Sequence, residues 1–486
     1  MRKVAHDGRF PVTGTNNKFD NGEYIYRYRP INSEHLISEI QNNELYFPDR
    51  SSLNDPMEGQ VRLNFHGDEI IWTNFLNNYA LSVLWCAHVF AIDGQNPNFD
   101  KRFVRPDLTV EKLPTKEFQD LYYEFLNLLK EDEDYIEAKK GLHTRGSVTD
   151  IELRIHFRAL HSAFTNILWA LFYEKGLINH RSSTRNIRDF LPDGIEKHNL
   201  YETLNALEAE HPENHHKFKE ALFAVQRQMF EELRVRSIYN IHIEHGKPHQ
   251  AFSTMNVTFS DDYIDQLVAT LYPDWSPVCF SRNCTNASMW GHYASGHQGI
   301  CLQFKPTKNE GREYINFKNG TSIEVSDVEY GEAYPALNYF EHIGSSISVH
   351  DLIEYWLTKD GKRSCVYSKY FDNEDQWRDL YWKRFQQLSN FKFKDWKYEN
   401  ECRTIRRVMS DKDRLWNYNQ QHLTGIVFGM HTPDDKVIEI IKAIAEKHYD
   451  GTLGEFSFYK ANFSSQGNSM QIMEFQNMTK FAPKDK

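Results

Sequence analysis

The sequence predicts an α+β protein: a mixed β-sheet core interrupted by a large helical insertion. Three observations carry this. Short apolar or alternating runs of strand length gather before residue 98 and again after residue 250. Between them lie roughly 150 residues whose apolar positions recur at helical spacing. The length, 486 residues, also exceeds one ordinary domain and leaves room for an insertion. The expected organisation is a polar arm over 1–21, a first part of the core over 22–98, the insertion over 99–249, the second part of the core over 250–465, and a tail over 466–486.

The elements follow in order. Tyr24 to Arg29 alternates, so Tyr24, Tyr26 and Tyr28 share one face of a strand while Ile25, Arg27 and Arg29 share the other. Ser33 is placed to cap a helix with Leu36, Ile37 and Ile40 as its apolar stripe, and Asn42-Asn43 ends it. Leu45 to Phe47 reads as a short strand. The loop Asn54-Asp55-Pro56-Met57-Glu58-Gly59 reads as a tight turn, because Asn and Asp bond back to their own backbone and Pro56 fixes φ. Lys116–Lys130, Asp150–Lys175 and His198–Ile241 carry helical spacing. Ala251–Phe259 is a strand candidate followed by a short helix. Cys402–Val408 and Leu423–Gly429 read as strands, Asp434–His448 as an amphipathic helix and Phe456–Tyr459 as a last strand.

Composition excludes some classes. The net charge of −11, with 57 basic against 68 acidic residues, gives no global attraction to nucleic acid. Six cysteines without a CxxC pair are too few for a disulfide scaffold. The first residues lack the apolar stretch of a signal peptide, and the strongest apolar run, Ala80–Ile92, falls short of the roughly 18 residues a membrane helix needs. The expectation is a soluble, reduced, cytoplasmic protein with no membrane partner.

Familiar catalytic motifs are absent: no Walker loop, GxGxxG, HExxH or GxSxG. His242 and Glu244 fall on one face if their segment is a strand, with His245 and His249 nearby, but the spacing matches no tetrahedral site and no metal is predicted. Arg154 and His161 on one helix loosely resemble the arginine–histidine pair of the helical HEPN ribonucleases, although Ile155 stands where a polar residue is usual.

The richest stretch is Pro277–Phe304, two strand-like runs flanking Trp290, His292, Tyr293 and His297. Arg27 and Arg29, Ser281, and Glu399-x-Glu401 lie on three separate predicted strands in that order. This arrangement resembles the arginine–serine–glutamate ADP-ribosyltransferases. The chemistry is coherent: a guanidinium holds the phosphates of NAD, a hydroxyl bonds near the ribose, and a carboxylate stabilises the cation formed as the glycosidic bond breaks. Each residue has a plainer reading beside it. Arg29 suits a surface ion pair, Ser281 a hydroxyl bonded to backbone, Glu401 a partner of Arg403, and Trp290 and Tyr293 core packing.

Three segments resemble the bacterial family known as domain of unknown function 2971. They are Tyr24–Pro30 with Leu45–Phe47 and Asn54–Glu58; Phe280-Ser281 with Met289–Ala294, His297 and Gly299–Phe304; and Trp396–Arg403 with Gly425–Gly429. The long helical block and Cys402, where tryptophan is common, depart from the pattern. The resemblance implies a role in phage defence or a toxin-like system, without an activity. The expected function is NAD-dependent ADP-ribosyl transfer or NAD hydrolysis. Glu401 is the expected catalytic carboxylate and Glu399 orients an acceptor, protein or nucleic acid. Arg29 or Arg27 holds the phosphates, Ser281 the ribose, and Tyr26, Trp290, His292 and Tyr293 line the pocket. His297, Asn54 and Asp55 are further pocket candidates. A nucleotide- or protein-binding sensor without catalysis and a ribonuclease are the alternatives.

Overall fold

The fold is that of a computed structural model. It describes residues 22–93 except 34, 99–179, 206, 209, 215–245, 254–449 except 409, and 455–475 except 465, 467 and 468. The chain divides into two units: Met1–Gln60 with Asp274–Tyr334 and Gln386–Lys486, and Val61–Pro273 with Pro335–Phe385. The expected α+β class holds, and the sheet core is interrupted by a helical unit. The boundaries differ from those expected: the helical unit begins at Val61 and takes a second piece, 335–385.

The first unit is built on a ten-stranded mixed sheet. Its strands are β1 (Ile25–Arg29), β2 (Ser276–Ser281), β3 (Ile300–Phe304), β4 (Thr307–Asn309), β5 (Arg312–Asn316), β6 (Ser322–Asp327), β7 (Glu401–Arg406), β8 (Leu423–Phe428), β9 (Ser457–Phe463) and β10 (Met470–Glu474). Their order is β10-β9-β8-β3-β1-β2-β7-β6-β5-β4, antiparallel throughout except for the β8–β9 pair. Alternation sorts the side chains as the sequence predicts. Ile25, Phe280, Leu302, Cys402 and Ile426 pack on one face with Ile440 and Ile444 of the helix Asp434–Tyr449. Tyr26, Tyr28, Cys301 and Val427 pack on the other with Trp290. Residues 470–474, expected in the tail, form β10 instead. The helix at Leu36–Asn42 has no side-chain cap, so Ser33 does not play that part, but Asn43 ends it at φ +58° as its residue type favours.

One irregularity positions the site. β1 pairs with β3 along its whole length, Ile25–Arg29, yet meets β2 only at Tyr26 opposite Ser281. The two central strands diverge from that point and leave a cleft inside the sheet. At the other flank, β2 and β7 pair over their full six residues.

In the second unit, long helices surround an aromatic core of Trp72, Phe75, Phe157, Tyr263, Tyr339 and Trp356. A three-stranded sheet of Arg62–Phe65, Val148–Thr149 and Ala336–Asn338 joins them. The run Ala80–Ile92 belongs to the helix Glu69–Asp93. That helix is long and apolar enough to cross a membrane, but 61% of its most apolar window is buried against protein. Of the expected strand at Ala251–Phe259, residues 251–253 lie outside the described residues, and the rest is a π-helical turn, Thr254–Thr258, leading into the helix Phe259–Leu271. Residues His215–His245 are helical, so His242 and Glu244 share no strand face; His249 lies outside the described residues, as do the side chains of His242, Glu244 and His245.

Gly299 marks where β3 enters the sheet beside β1. A Cβ there would sit 2.3 Å from the Arg29 carbonyl oxygen and 2.8 Å from Ala294 Cα. Both obstacles are backbone and cannot rotate away. Gly299→Ala is therefore expected to cost about 1–3 kcal/mol, measurable by urea unfolding; an unchanged midpoint would contradict this packing.

Candidate functional site

The cleft between β1 and β2 has a volume of about 230 Å³ and is lined only by residues of the first unit. Its two ends differ in charge. At one end stand Arg27 and Arg29. Arg29 is neutralised by Glu39, with Ser33 also accepting from it at 3.3 Å. Arg27 donates to the Cys279 carbonyl oxygen at 3.3 Å, its Nε is buried without a partner, and it forms no ion pair among the described residues. Burial, and secondarily the neighbouring Arg29, bring its pKa down to about 10, so it keeps its charge at neutral pH.

At the other end, five ionisable side chains meet. Lys392 Nζ lies 2.7 Å from Glu399 Oε2, 2.8 Å from Glu401 Oε2 and 3.5 Å from Glu58 Oε2. Arg403 binds Glu401 Oε1 through Nε at 2.9 Å and Nη2 at 2.8 Å, and its Nη1 reaches Glu58 and the Ser389 carbonyl. All five are buried. Tyr293 donates its hydroxyl proton to Glu399, and the Tyr330 hydroxyl accepts the Glu401 backbone N–H at 2.8 Å. Three carboxylates thus face two cations. Burial raises the pKa of Glu58 and of Glu399. Burial works to raise Glu401 too, but Arg403 and Lys392 outweigh it and bring the pKa down to about 2.

Local sequence explains how each group arrives. Asp55 Oδ1 accepts the Met57 N–H at 2.9 Å and its carbonyl accepts the Glu58 N–H at 3.1 Å, so the Asn-Asp-Pro turn aims Glu58 inward. Asn54 lines the cleft beside Tyr293. Period two sends Glu401 and Arg403 to the face opposite Cys402. Asn400 takes φ +45°, a left-handed turn that separates Glu399 from β7 and lets both glutamates reach one lysine.

Several predicted residues do come together. Tyr26, Arg27, Arg29, Asn54, Ser281, Tyr293, Glu399 and Glu401 all line the cleft. Others do not. Trp290 is fully buried, donates Nε1–H to the Cys284 carbonyl at 2.8 Å and packs edge-on against Tyr28, so its ring cannot stack on a ligand. His292 is exposed near Tyr398, and His297, at φ +67°, sits by His431; neither lines the cleft. Asp55 serves the turn rather than the cleft. The Ser281 hydroxyl donates to the Glu399 carbonyl at 2.7 Å and accepts the Asn283 N–H at 3.2 Å, which pins β2 to the approach of β7. Glu58 and Lys392 were not among the expected site residues.

The ribonuclease pair gains nothing from the fold. Arg154 is paired with Asp261 and Asp265. His161 is buried, with its ring nitrogens on the Tyr79 hydroxyl at 2.9 Å and the Met255 carbonyl at 2.7 Å, and burial lowers its pKa to about 4.

Residues 289–404 match the family model described as "Protein of unknown function (DUF2971)". The resemblance is to DUF2971. No curated protein and no solved structure matches the chain. The DUF2971 match contains Tyr293, Lys392, Glu399, Glu401 and Arg403, hence most of the ionic wall, while Arg27 and Glu58 lie before it.

Because the folded-state pKa of Glu401 is depressed, its pairing contributes stability that is present above pH 4.5 and is lost as pH falls toward about 2. Urea unfolding followed from about pH 5 down to about pH 2 should show this loss in the wild type and a smaller one in Glu401→Gln. Identical slopes would contradict the pairing.

Proposed function

We propose that this protein cleaves the N-glycosidic bond of NAD, passing the ADP-ribosyl group to an acceptor or to water. The observation that carries this reading is the polarity of the cleft: at one end an arginine that forms no ion pair among the described residues, and at the other a surplus of carboxylate. A ligand suited to it has phosphate at one end and a positive or developing positive charge at the other. Arg27, Ser281 and Glu401 also stand on three adjacent strands in the order of the ADP-ribosyltransferase arrangement.

The chemistry follows from the placement. The Arg27 guanidinium donates to diphosphate oxygens, with a bidentate geometry that lysine could not supply. Tyr293 offers its ring edge and face to the nicotinamide. As the carbon–nitrogen bond breaks, nicotinamide leaves neutral with the bonding pair, and positive charge develops on the ribose. Glu401, ionised at any physiological pH, stabilises that charge. The acceptor's nucleophilic atom bonds the anomeric carbon and its proton passes to Glu399. The cleft volume suits the nicotinamide–ribose half, the adenosine lying beyond it.

NAD consumption followed by chromatography, with and without protein or nucleic-acid acceptors, tests this. Glu401→Gln is expected to lose activity by about 100-fold or more while staying folded. Arg27→Met should raise KM by about tenfold. A folded Glu401→Gln protein with full NAD cleavage would overturn the assignment. A wild-type protein that binds nucleotide without turnover would favour the non-catalytic sensor.

A further inference from the structure

The ionic wall has a feature that an ordinary buried salt bridge lacks: its charges do not balance. Glu58, Glu399 and Glu401 together bring three negative charges against the two positive charges of Lys392 and Arg403. Around them stand uncharged groups, Tyr293 on Glu399, Tyr330 on the Glu401 backbone, Cys279 beside Glu401 and Tyr334 beside Glu58, and a further carboxyl group, Asp55, which accepts from the Tyr334 hydroxyl. Among the described residues no further cation faces the cluster from these elements. An unbalanced charge in a buried site is costly, and the cheapest remedy is a bound proton. Arg403 and Lys392 hold Glu401 ionised, which leaves Glu58 and Glu399 as the places for that proton.

Glu58 and Glu399 also line the cleft, beside the Tyr293 ring. We infer that this side of the cleft is a subsite for a planar cation, which enters against Tyr293 and is accompanied by release of one proton. The cation takes over the balancing role and the displaced proton passes to solvent. The inference rests on the functional reading above and narrows it: the ligand's planar end is the positively charged pyridinium form, and a neutral ring of the same shape is disfavoured. Aromatic contact supplies position and the carboxylates supply charge selection.

The test is a binding measurement that needs no turnover. Isothermal titration uses 1-methylnicotinamide as the cationic probe and nicotinamide as its neutral counterpart, near neutral pH in two buffers of different ionisation heat. The cation is expected to bind about tenfold or more tightly than nicotinamide, with a buffer-dependent heat that reports proton release and with affinity rising as pH rises. Glu399→Gln should abolish both the preference and the buffer dependence. Glu58→Gln, which removes the third carboxylate from the opposite side, should abolish the proton release even if Glu399→Gln fails to fold. Equal affinities, undetectable binding of both probes, or a heat independent of buffer would overturn the subsite. Cation binding without NAD cleavage would leave the subsite standing and remove the catalytic reading; NAD cleavage without cation preference would do the reverse.

Discussion

Lys392 is the constraint on which the site depends. Its ammonium group lies 2.7 Å, 2.8 Å and 3.5 Å from three carboxylates that come from a loop near the N-terminus, a short helical turn and a central strand. Arg403 completes the lattice by bridging Glu58 and Glu401. A surface ion pair is worth about 0–1 kcal/mol, whereas removing one partner from a buried set costs about 3–5 kcal/mol because it strands a charge. Loop, turn and strand are thus held in one geometry by these side chains. Well-packed apolar residues would stabilise the same volume at least as well. The presence of five charges there is better explained by what they do at the cleft wall.

The second constraint is the divergence of β1 from β2. Strand alternation puts Arg27 and Arg29 on the face of Ile25 and Phe280, opposite Ser281 and Glu401. In a fully paired sheet these groups could not share a site. Because the strands part after Tyr26, Arg27 reaches the Cys279 carbonyl and both guanidiniums line the opening. Charges of opposite sign then stand at the two ends of one cleft, in a low-dielectric setting where each is felt more strongly than in water.

Much of this was legible in the residues. The alternation of Tyr24–Arg29, the apolar run at β8 and the periodicity of Asp434–Tyr449 are local signals, and the local structure follows them. The Arg, Ser and Glu strands were readable in order, and they are neighbours. Less was legible where structure depends on distant partners. The short strands at Arg62–Phe65 and Ala336–Asn338 pair with each other across more than half the chain, so the boundary of the helical unit could not be placed from composition. Ala251–Phe259 has a strand's residues, but its described part is a π-turn over Thr254–Thr258 that runs into a helix at Phe259. Trp290 and the histidines were attractive as chemistry, yet Trp290 is needed to pack Tyr28. Glu58 was visible inside a motif without a partner to give it meaning, and nothing around Lys392 in Phe391-Lys392-Phe393 distinguishes it from an ordinary strand lysine.

The central claim is that one cleft holds phosphate at Arg27 and a ribose at the glutamate wall. The most direct measurement is a crystal structure with ADP-ribose bound. The account predicts diphosphate oxygens within hydrogen-bonding distance of the Arg27 guanidinium, with the terminal ribose directed toward Glu401 and Tyr293. A ligand bound elsewhere, or seated in the cleft with its diphosphate away from Arg27, would contradict it.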